Sequence, residues 1–278
     1  NCVYAGEKAP IKNEKLEWFT LTSTSGKIRL ECTNTAGCEF EKESDWVLKE
    51  PVNDLADGTN VGSFLAGVKN LTSVEKVPVS PANLQESEYG ISNAQKSLAI
   101  KIKDRAEPIL VRIGARSAIG SSVYAHSSAT PDQLYLVASY FPDTMKEATF
   151  YWRNKRFYPD LSADKVKEIS WETKNKKYAF IKNSAGAWEI KKDKNLQANE
   201  PLLGGLIGTI AYLAANSIQD GALPKNKPSL QIHFTTSDGK NHELSLYEKP
   251  VAKIEKGKKP KLDDKNMRKE LIATADTQ

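Results

Sequence analysis

Three cysteines, three histidines and a short serine-rich strand are the residues of this 278-residue chain whose types invite chemistry. Cys32 ends the alternating run Lys27-Ile-Arg-Leu-Glu-Cys32, and Cys38 opens another, Cys38-Glu-Phe-Glu-Lys42. Between them Thr33-Asn-Thr-Ala-Gly37 reads as a five-residue hairpin loop with glycine at its end. Cysteines facing each other across a hairpin mouth can meet disulfide geometry, and a disulfide belongs to an oxidising compartment. The other reading is two unrelated thiols in a reducing cytosol. Two thiols without a nearby histidine are too few ligands for structural zinc. Cys2 is then spare. Asn1 before it and the polar stretch Glu7 to Lys15 after it suit the lipid anchor of a bacterial lipoprotein; the accident of where the sequence begins accounts for it equally well.

The catalytic patterns fail one by one, and no catalytic residue is expected. Ser121, Ser122 and His126 are close in sequence, but no Gly-x-Ser-x-Gly elbow precedes them and nothing marks a third group to orient a base. Gly114 and Gly120 lack the spacing and the Lys-Ser/Thr of a phosphate loop, so a turn explains them better. His233 and His242 flank Asp238-Gly239 on facing strands, where a shared metal would still want a carboxylate, and Glu243 alternates with His242; they read as surface histidines. The run Phe150-Tyr-Trp-Arg-Asn-Lys-Arg-Phe-Tyr158 interleaves aromatics with cations, as single-strand nucleic-acid binders do. It also continues a helix from Asp143 to Lys155 carrying Met145, Ala148 and Trp152 on one side, which predicts a packed helix end.

The elements that must position these residues come in two similar series. Trp46 answers Trp188, Ala56 answers Ala198, Val61 answers Leu203, Leu65 answers Ile207, Val68 answers Ile210 and Leu71 answers Leu213, all without a gap and 142 positions apart. Each series reads as strands, one amphipathic helix with apolar residues at i, i+3, i+4 and i+7, then a hairpin. Asp54 or Asp57 is the expected cap of the first helix. Ser229-Leu-Gln-Ile-His-Phe234 aligns with Ser97-Leu-Ala-Ile-Lys-Ile102 at an offset of 132. The predicted fold is α+β: two tandem repeats, each an antiparallel sheet with one helix on a face. The expected divisions are a tether over 1–14, a first repeat over 15–115, connecting strands and a helix over 116–166, a second repeat over 167–248, and a Lys-rich tail over 249–278 with a short helix from Asp263 to Ile272.

A net charge of +5 with acidic residues interleaved throughout argues against a dedicated nucleic-acid binder. No stretch reaches the roughly 18 apolar residues of a membrane span. Leu202 to Ala215 comes nearest, and its Gly204 and Gly208 are expected to let a helix lie close against a sheet. Because the sequence opens on Asn1 rather than Met, an upstream segment is expected to have been removed.

The order Trp46-Val-Leu-x-x-Pro51, Ala56-Asp57 with a helix, Tyr89-Gly-Ile91, Leu110-Val-Arg-Ile-Gly114, Val123-Tyr-Ala125 and Trp152-Arg-Asn-Lys-Arg-Phe157 resembles the bacterial domain-of-unknown-function family numbered 4340. The resemblance covers roughly residues 16 to 215, and the Cys32 and Cys38 pair is not part of the family pattern. It implies attachment to the bacterial inner membrane by an N-terminal segment, a periplasmic location, and genes often placed beside ABC-transporter subunits similar to those of gliding-motility systems; with the lipid-anchor reading of Cys2, tethering to either the inner or the outer membrane is expected. It carries over no catalytic residue.

The expected function is therefore a non-enzymatic, extracytoplasmic accessory or scaffold protein of a membrane complex, with no cofactor and no metal. The rival is a ligand-binding module using a crevice between the repeats, lined by Tyr124, Tyr135, Tyr140 and Trp152. A hydrolase acting through Ser122 and His126 stands third.

Overall fold

The computed structural model describes residues 14–40, 46–80, 83–85, 88–118, 120–173, 176–218, 225–248 and 271–275. Cys2 and nearly all of the expected tether and Lys-rich tail lie outside these residues. The chain divides into two compact units, Asn1–Asn154 and Lys155–Gln278. Both are built on antiparallel sheet with few helices, an α+β arrangement.

In the first unit the strands are β1 (Leu16–Ser23), β2 (Gly26–Cys32), β3 (Trp46–Glu50) and β4 (Asp54–Leu55), followed by helix α1 (Gly58–Lys69). Then come β5 (Ser73–Pro78), β6 (Lys96–Ile102), β7 (Ile109–Arg116), β8 (Ser122–Ser127) and β9 (Gln133–Ala138), and the one-turn helices α2 (Phe141–Thr144) and α3 (Thr149–Trp152). The sheet order is β4-β3-β2-β1-β6-β7-β8-β9-β5. Alternation sends Phe19, Leu21, Leu30, Leu48, Leu98 and Ile100 to one face, where all are buried. Helix α1 starts because Asp57, not Asp54, caps it: the Asp57 carboxylate accepts from the Asn60 N–H at 3.0 Å. Val61, Phe64, Leu65 and Val68 form its buried stripe. Phe64 lies 5.4 Å from Phe19 and 5.5 Å from Trp152, ring centre to ring centre, so helix, sheet and α3 meet in one aromatic cluster.

Three expectations change here. Cys38 does not open a strand beside β2; its backbone bridges Leu16 at the start of β1, and β2 pairs with Trp46–Glu50 instead. Both runs reach the core, Trp46 and Leu48 from β3 and Cys38 and Phe40 from the residues after the disulfide loop. Residues 116–154 are not a separate connector, since β8 and β9 extend the first sheet and the boundary falls after Asn154. The single helix expected from Asp143 to Lys155 is two short ones. The Trp152 indole is fully buried and its Nε1–H donates to the Lys146 carbonyl at 2.8 Å, which holds Lys146 out of a continuous helix.

The second unit holds β10 (Val166–Thr173), β11 (Lys177–Lys182), β12 (Trp188–Ile190), β13 (Asp193–Gln197), helix α4 (Glu200–Ala211), β14 (Leu230–Thr236), β15 (Asn241–Glu248) and β16 (Leu271–Ala275). Their order in the sheet is β13-β12-β11-β10-β14-β15-β16. Asn199 caps α4 by accepting from the Leu202 N–H at 3.2 Å. Leu203, Ile207, Ile210 and Ala211 pack with Ile169, Ile232, Phe234 and Leu244 in a second core.

The glycines of α4 do not serve close packing on the sheet, as the sequence suggested. A β-carbon on Gly204, Gly205 or Gly208 would meet no atom within 4 Å. The branched side chains on the other face make the contact. Ile272, expected to end a short helix, lies in β16, where the edge of β15 offers backbone partners. In the first sheet Ile100 of β6 lies opposite Phe19, and in the second Phe234 of β14 lies opposite Ile169; if the two strands are matched on these pairs the offset is 134, against the 132 expected from the sequence. The shift is even, so every side chain keeps its face.

Candidate functional site

The first cluster with chemistry is the cysteine loop. Cys32 and Cys38 are joined by a disulfide, with a Cα–Cα distance of 5.8 Å. The loop between them is tied down on its far side: Leu16 and Cys38 exchange backbone hydrogen bonds at 2.8 and 2.9 Å, and the Lys103 ammonium donates to the Thr35 carbonyl at 2.8 Å. Gly37 takes a φ of +83°, and a β-carbon there would stand 2.8 Å from that of Lys15. The disulfide therefore fastens the loop over the first residues of β1.

The four aromatics expected to share a crevice all belong to the first unit, and the structure does not bring them together as a lining. Trp152 is fully buried beside Phe19 and Phe64. Tyr135 is buried and donates its hydroxyl to Thr130 Oγ1 at 2.9 Å. Tyr124 packs edge-on against Tyr89 in a small satellite cluster with Val79, Leu84, Ile91 and Leu134. Tyr140 is exposed. Each of the first three packs against neighbours within the first unit.

His126 is buried and its Nε2–H donates to the Pro131 carbonyl at 3.2 Å; it stands four residues along β8 from Ser122, about 13 Å in an extended strand, too far to take a proton from that hydroxyl. The aromatic and cationic run over 150–158 is likewise absorbed. In the first unit the Arg153 Nε–H donates to Asp54 Oδ2 at 2.6 Å. In the second, Arg156 donates to the carbonyls of Ala211, at the end of α4, and Leu161, and its guanidinium lies 5.2 Å from the Tyr212 ring centre.

The second unit carries a concave surface over its sheet. A trough of about 650 Å³ runs over the sheet, lined by residues that include Ser170, Ala179, Lys191, His233, Asn241 and Glu243. His233 and Glu243 are direct cross-strand partners, with Nδ1 3.5 Å from Oε2. Glu243 Oε1 also accepts from Gln231 Nε2 at 2.7 Å and Ser245 Oγ at 2.9 Å. Those two hydrogen bonds, helped by His233, hold the Glu243 carboxyl below its ordinary pKa. His242 points to the opposite face, stacked on Phe234 and edge-on to Tyr158, so the two histidines cannot share an ion. Burial lowers its pKa and favours the neutral ring. The His233–Glu243 pair was legible in the sequence: centring the hairpin on Asp238 places 233 opposite 243. Among the described residues, no group of three or more His, Cys, Asp or Glu is placed to hold a metal ion, and no helix is long and apolar enough to cross a membrane.

The last feature joins a loop to a strand of the first sheet. Tyr89-Gly90-Ile91 folds against the strand β7: the Ala115 N–H donates to the Tyr89 carbonyl at 2.8 Å, and that carbonyl rests on Gly114. The family model described as "Domain of unknown function (DUF4340)" matches residues 46–201, more than half of the chain. The chain belongs to the DUF4340 family. Searches of curated proteins and of solved structures found no match. The DUF4340 match begins at the core residue Trp46 and ends in the first turn of α4, so it includes Tyr89, Gly114, Arg153 and Arg156 and excludes the disulfide and the trough's β14 and β15. Most of the motifs that carried the resemblance have packing or capping roles here.

Proposed function

We propose that this DUF4340 protein is a non-enzymatic, extracytoplasmic accessory or scaffold protein of a bacterial membrane complex, one that includes ABC-transporter subunits, and that its framework arose by duplication of one sheet-plus-helix unit. The Cys32–Cys38 disulfide carries the compartment, because such bonds persist on the oxidising side of a membrane.

Several internal matches support the duplication. The orders β4-β3-β2-β1-β6-β7 and β13-β12-β11-β10-β14-β15 correspond strand for strand. Both sheets skip one residue at the same place, between Leu16 and Trp18 and between Val166 and Glu168. Both helices are 12 residues long and begin from a side-chain cap, Asp57 or Asn199. Cys32 and Trp46 are partners 14 positions apart, whereas Lys182 and Trp188 are partners six apart, so the disulfide loop occupies an insertion particular to the first unit.

The test has two measurements. Mass spectrometry of unreduced protein should find Cys32 and Cys38 protected from alkylation. Affinity capture from detergent-solubilised membranes should recover transporter or envelope subunits in stoichiometric amount. Free thiols in the native protein, or repeated capture of nothing, would overturn the proposal.

The trough over the second sheet favours a second reading, a periplasmic ligand-binding module. A thermal-shift screen against lipids, glycans and peptides separates the two, since a ligand that binds only folded protein raises Tm.

A further inference from the structure

The two sheets match pair by pair on the face that each turns to its helix. Phe19 is paired with Leu30 and Leu21 with Ile28 in the first; Ile169 is paired with Phe180 and Trp171 with Tyr178 in the second. Leu48 and Ile190 extend the two series by one strand. Leu21, Ile28, Leu30 and Leu48 are all buried. At the matching places Trp171, Phe180 and Ile190 are only half-buried, and Tyr178 is 40% exposed. Trp171 lies 5.3 Å from Tyr178 and 5.1 Å from Phe180 between ring centres, so the three rings form one shelf. The helices differ in the same sense. Phe64 is buried and Asn60 half-buried, whereas 142 positions on Leu206 is half-buried and Leu202 is 73% exposed.

The first unit shows what closes this surface, and it is a short stretch of polypeptide, residues 141–152. Met145 lines one crevice with Leu21 and Ile28, and Trp152 stands 6.1 Å from Phe19 and 5.5 Å from Phe64. The stretch is seated on α1 through its backbone: the Asp57 N–H donates to the Trp152 carbonyl at 2.8 Å and the Asn60 amide to the Tyr151 carbonyl at 2.7 Å. Its other end is held by Lys96, whose ammonium reaches Glu147 and the Pro142 carbonyl, each at 3.1 Å. Leu202 stands where Asn60 would donate, so the second surface offers an apolar contact in place of that hydrogen bond.

We infer that the face of the second unit around Trp171, Tyr178, Phe180, Leu202 and Leu206 docks a short segment of a partner protein, uncharged at its contacts and carrying two large side chains, one of them aromatic. Peptides that set large apolar side chains into such a face are a recurring mode of recognition, and tryptophan is a frequent anchor. A second copy is the poorer occupant, because its own Met145 and Trp152 are already buried in its first unit. The inference stands on the comparison of the two units and is independent of the compartment and of the transporter.

The experiment adds a fluorescent peptide of residues 141–152 to the full chain, and anisotropy should show saturable binding. Tyr178→Lys and Leu202→Lys alter accessible side chains of the second unit, and each should weaken binding at least about fivefold, as loss of an interface anchor does. Tyr178→Phe should bind as the unaltered chain does, and a peptide carrying Met145→Ser and Trp152→Ser should not bind. No binding up to the solubility limit of the peptide overturns the inference. So does equal binding to every form of the chain, which would place the peptide on the first unit. If circular dichroism shows that one lysine variant does not fold, the other decides. Binding of chitotetraose that Tyr178→Lys abolishes, with none of the peptide, would assign the shelf to a sugar and overturn the partner segment. Concentration-dependent dimers that the peptide dissolves would assign it to a second copy and overturn it likewise.

Discussion

The carbonyl oxygen of Tyr89 lies 2.0 Å from where a β-carbon on Gly114 would stand. No side chain fits there, because the obstacle is backbone, and Gly90 beside it takes a φ of +63° with the Ala115 nitrogen 2.8 Å from its own would-be β-carbon. The two glycines let a loop and a strand touch through their main chains. Gly114→Ala should therefore destabilise the first unit by about 1–3 kcal/mol, the range for forced overpacking. Thermal unfolding checks this; a Tm within a degree of the unaltered chain would show that the contact is not tight.

Opening the disulfide should cost about 2 kcal/mol, the loop-entropy value for a closure this short. Cys32→Ser with Cys38→Ser, followed by urea unfolding, gives the figure. The loop's other ties, at Leu16 and Lys103, should keep the unit folded. Loss of cooperative unfolding would mean that the bond does more than constrain the denatured chain.

Trp152→Ala should cost about 3–5 kcal/mol, the usual price of a buried tryptophan. The indole touches Phe19 and Phe64 and its N–H satisfies the Lys146 carbonyl. Trp152→Phe restores most of the contact area but not the hydrogen bond, and should recover all but about 1–2 kcal/mol. Urea unfolding of both variants measures the split; equal losses would place the whole effect in the hydrogen bond.

His242 should make the second unit acid-sensitive. Packing against Phe234 and Tyr158 desolvates the ring and lowers its pKa, outweighing the attraction of Asp238. The unfolded chain then takes up a proton near pH 6.5 while the folded one does so only at lower pH. Stability attributable to this ring is intact above about pH 6.5 and falls as pH drops towards the folded value. His242→Phe should flatten the dependence of Tm on pH between about 7.5 and 5.5; an unchanged slope would remove His242 as the cause.

The local elements were legible where pattern and physics coincide. The stripes Val61–Leu71 and Leu203–Leu213, the Trp46 and Trp188 strands, and the hairpin around Asp238-Gly239 all follow from periods of 3.6 and 2 and from turn chemistry. The cysteine pair was legible from spacing, although the strand it was assigned to was not: Cys38 found Leu16, a partner from before β2, and local pattern carries no information about such pairing. The glycines of α4 misled for a related reason, since composition marks a helix that tolerates close approach without saying which face is approached.

What the amino-acid sequence determined alone is the two 12-residue helices, the principal strands, the α+β class and the family, because each depends on residues within a few positions or on motif order. Only the tertiary structure decided that β8 and β9 join the first sheet, that Tyr124, Tyr135 and Trp152 pack in separate places within the first unit, and that Tyr89 needs Gly114. Those outcomes turn on which distant backbones and side chains compete for the same space. Such competition is settled by packing density and hydrogen-bond satisfaction across the whole unit.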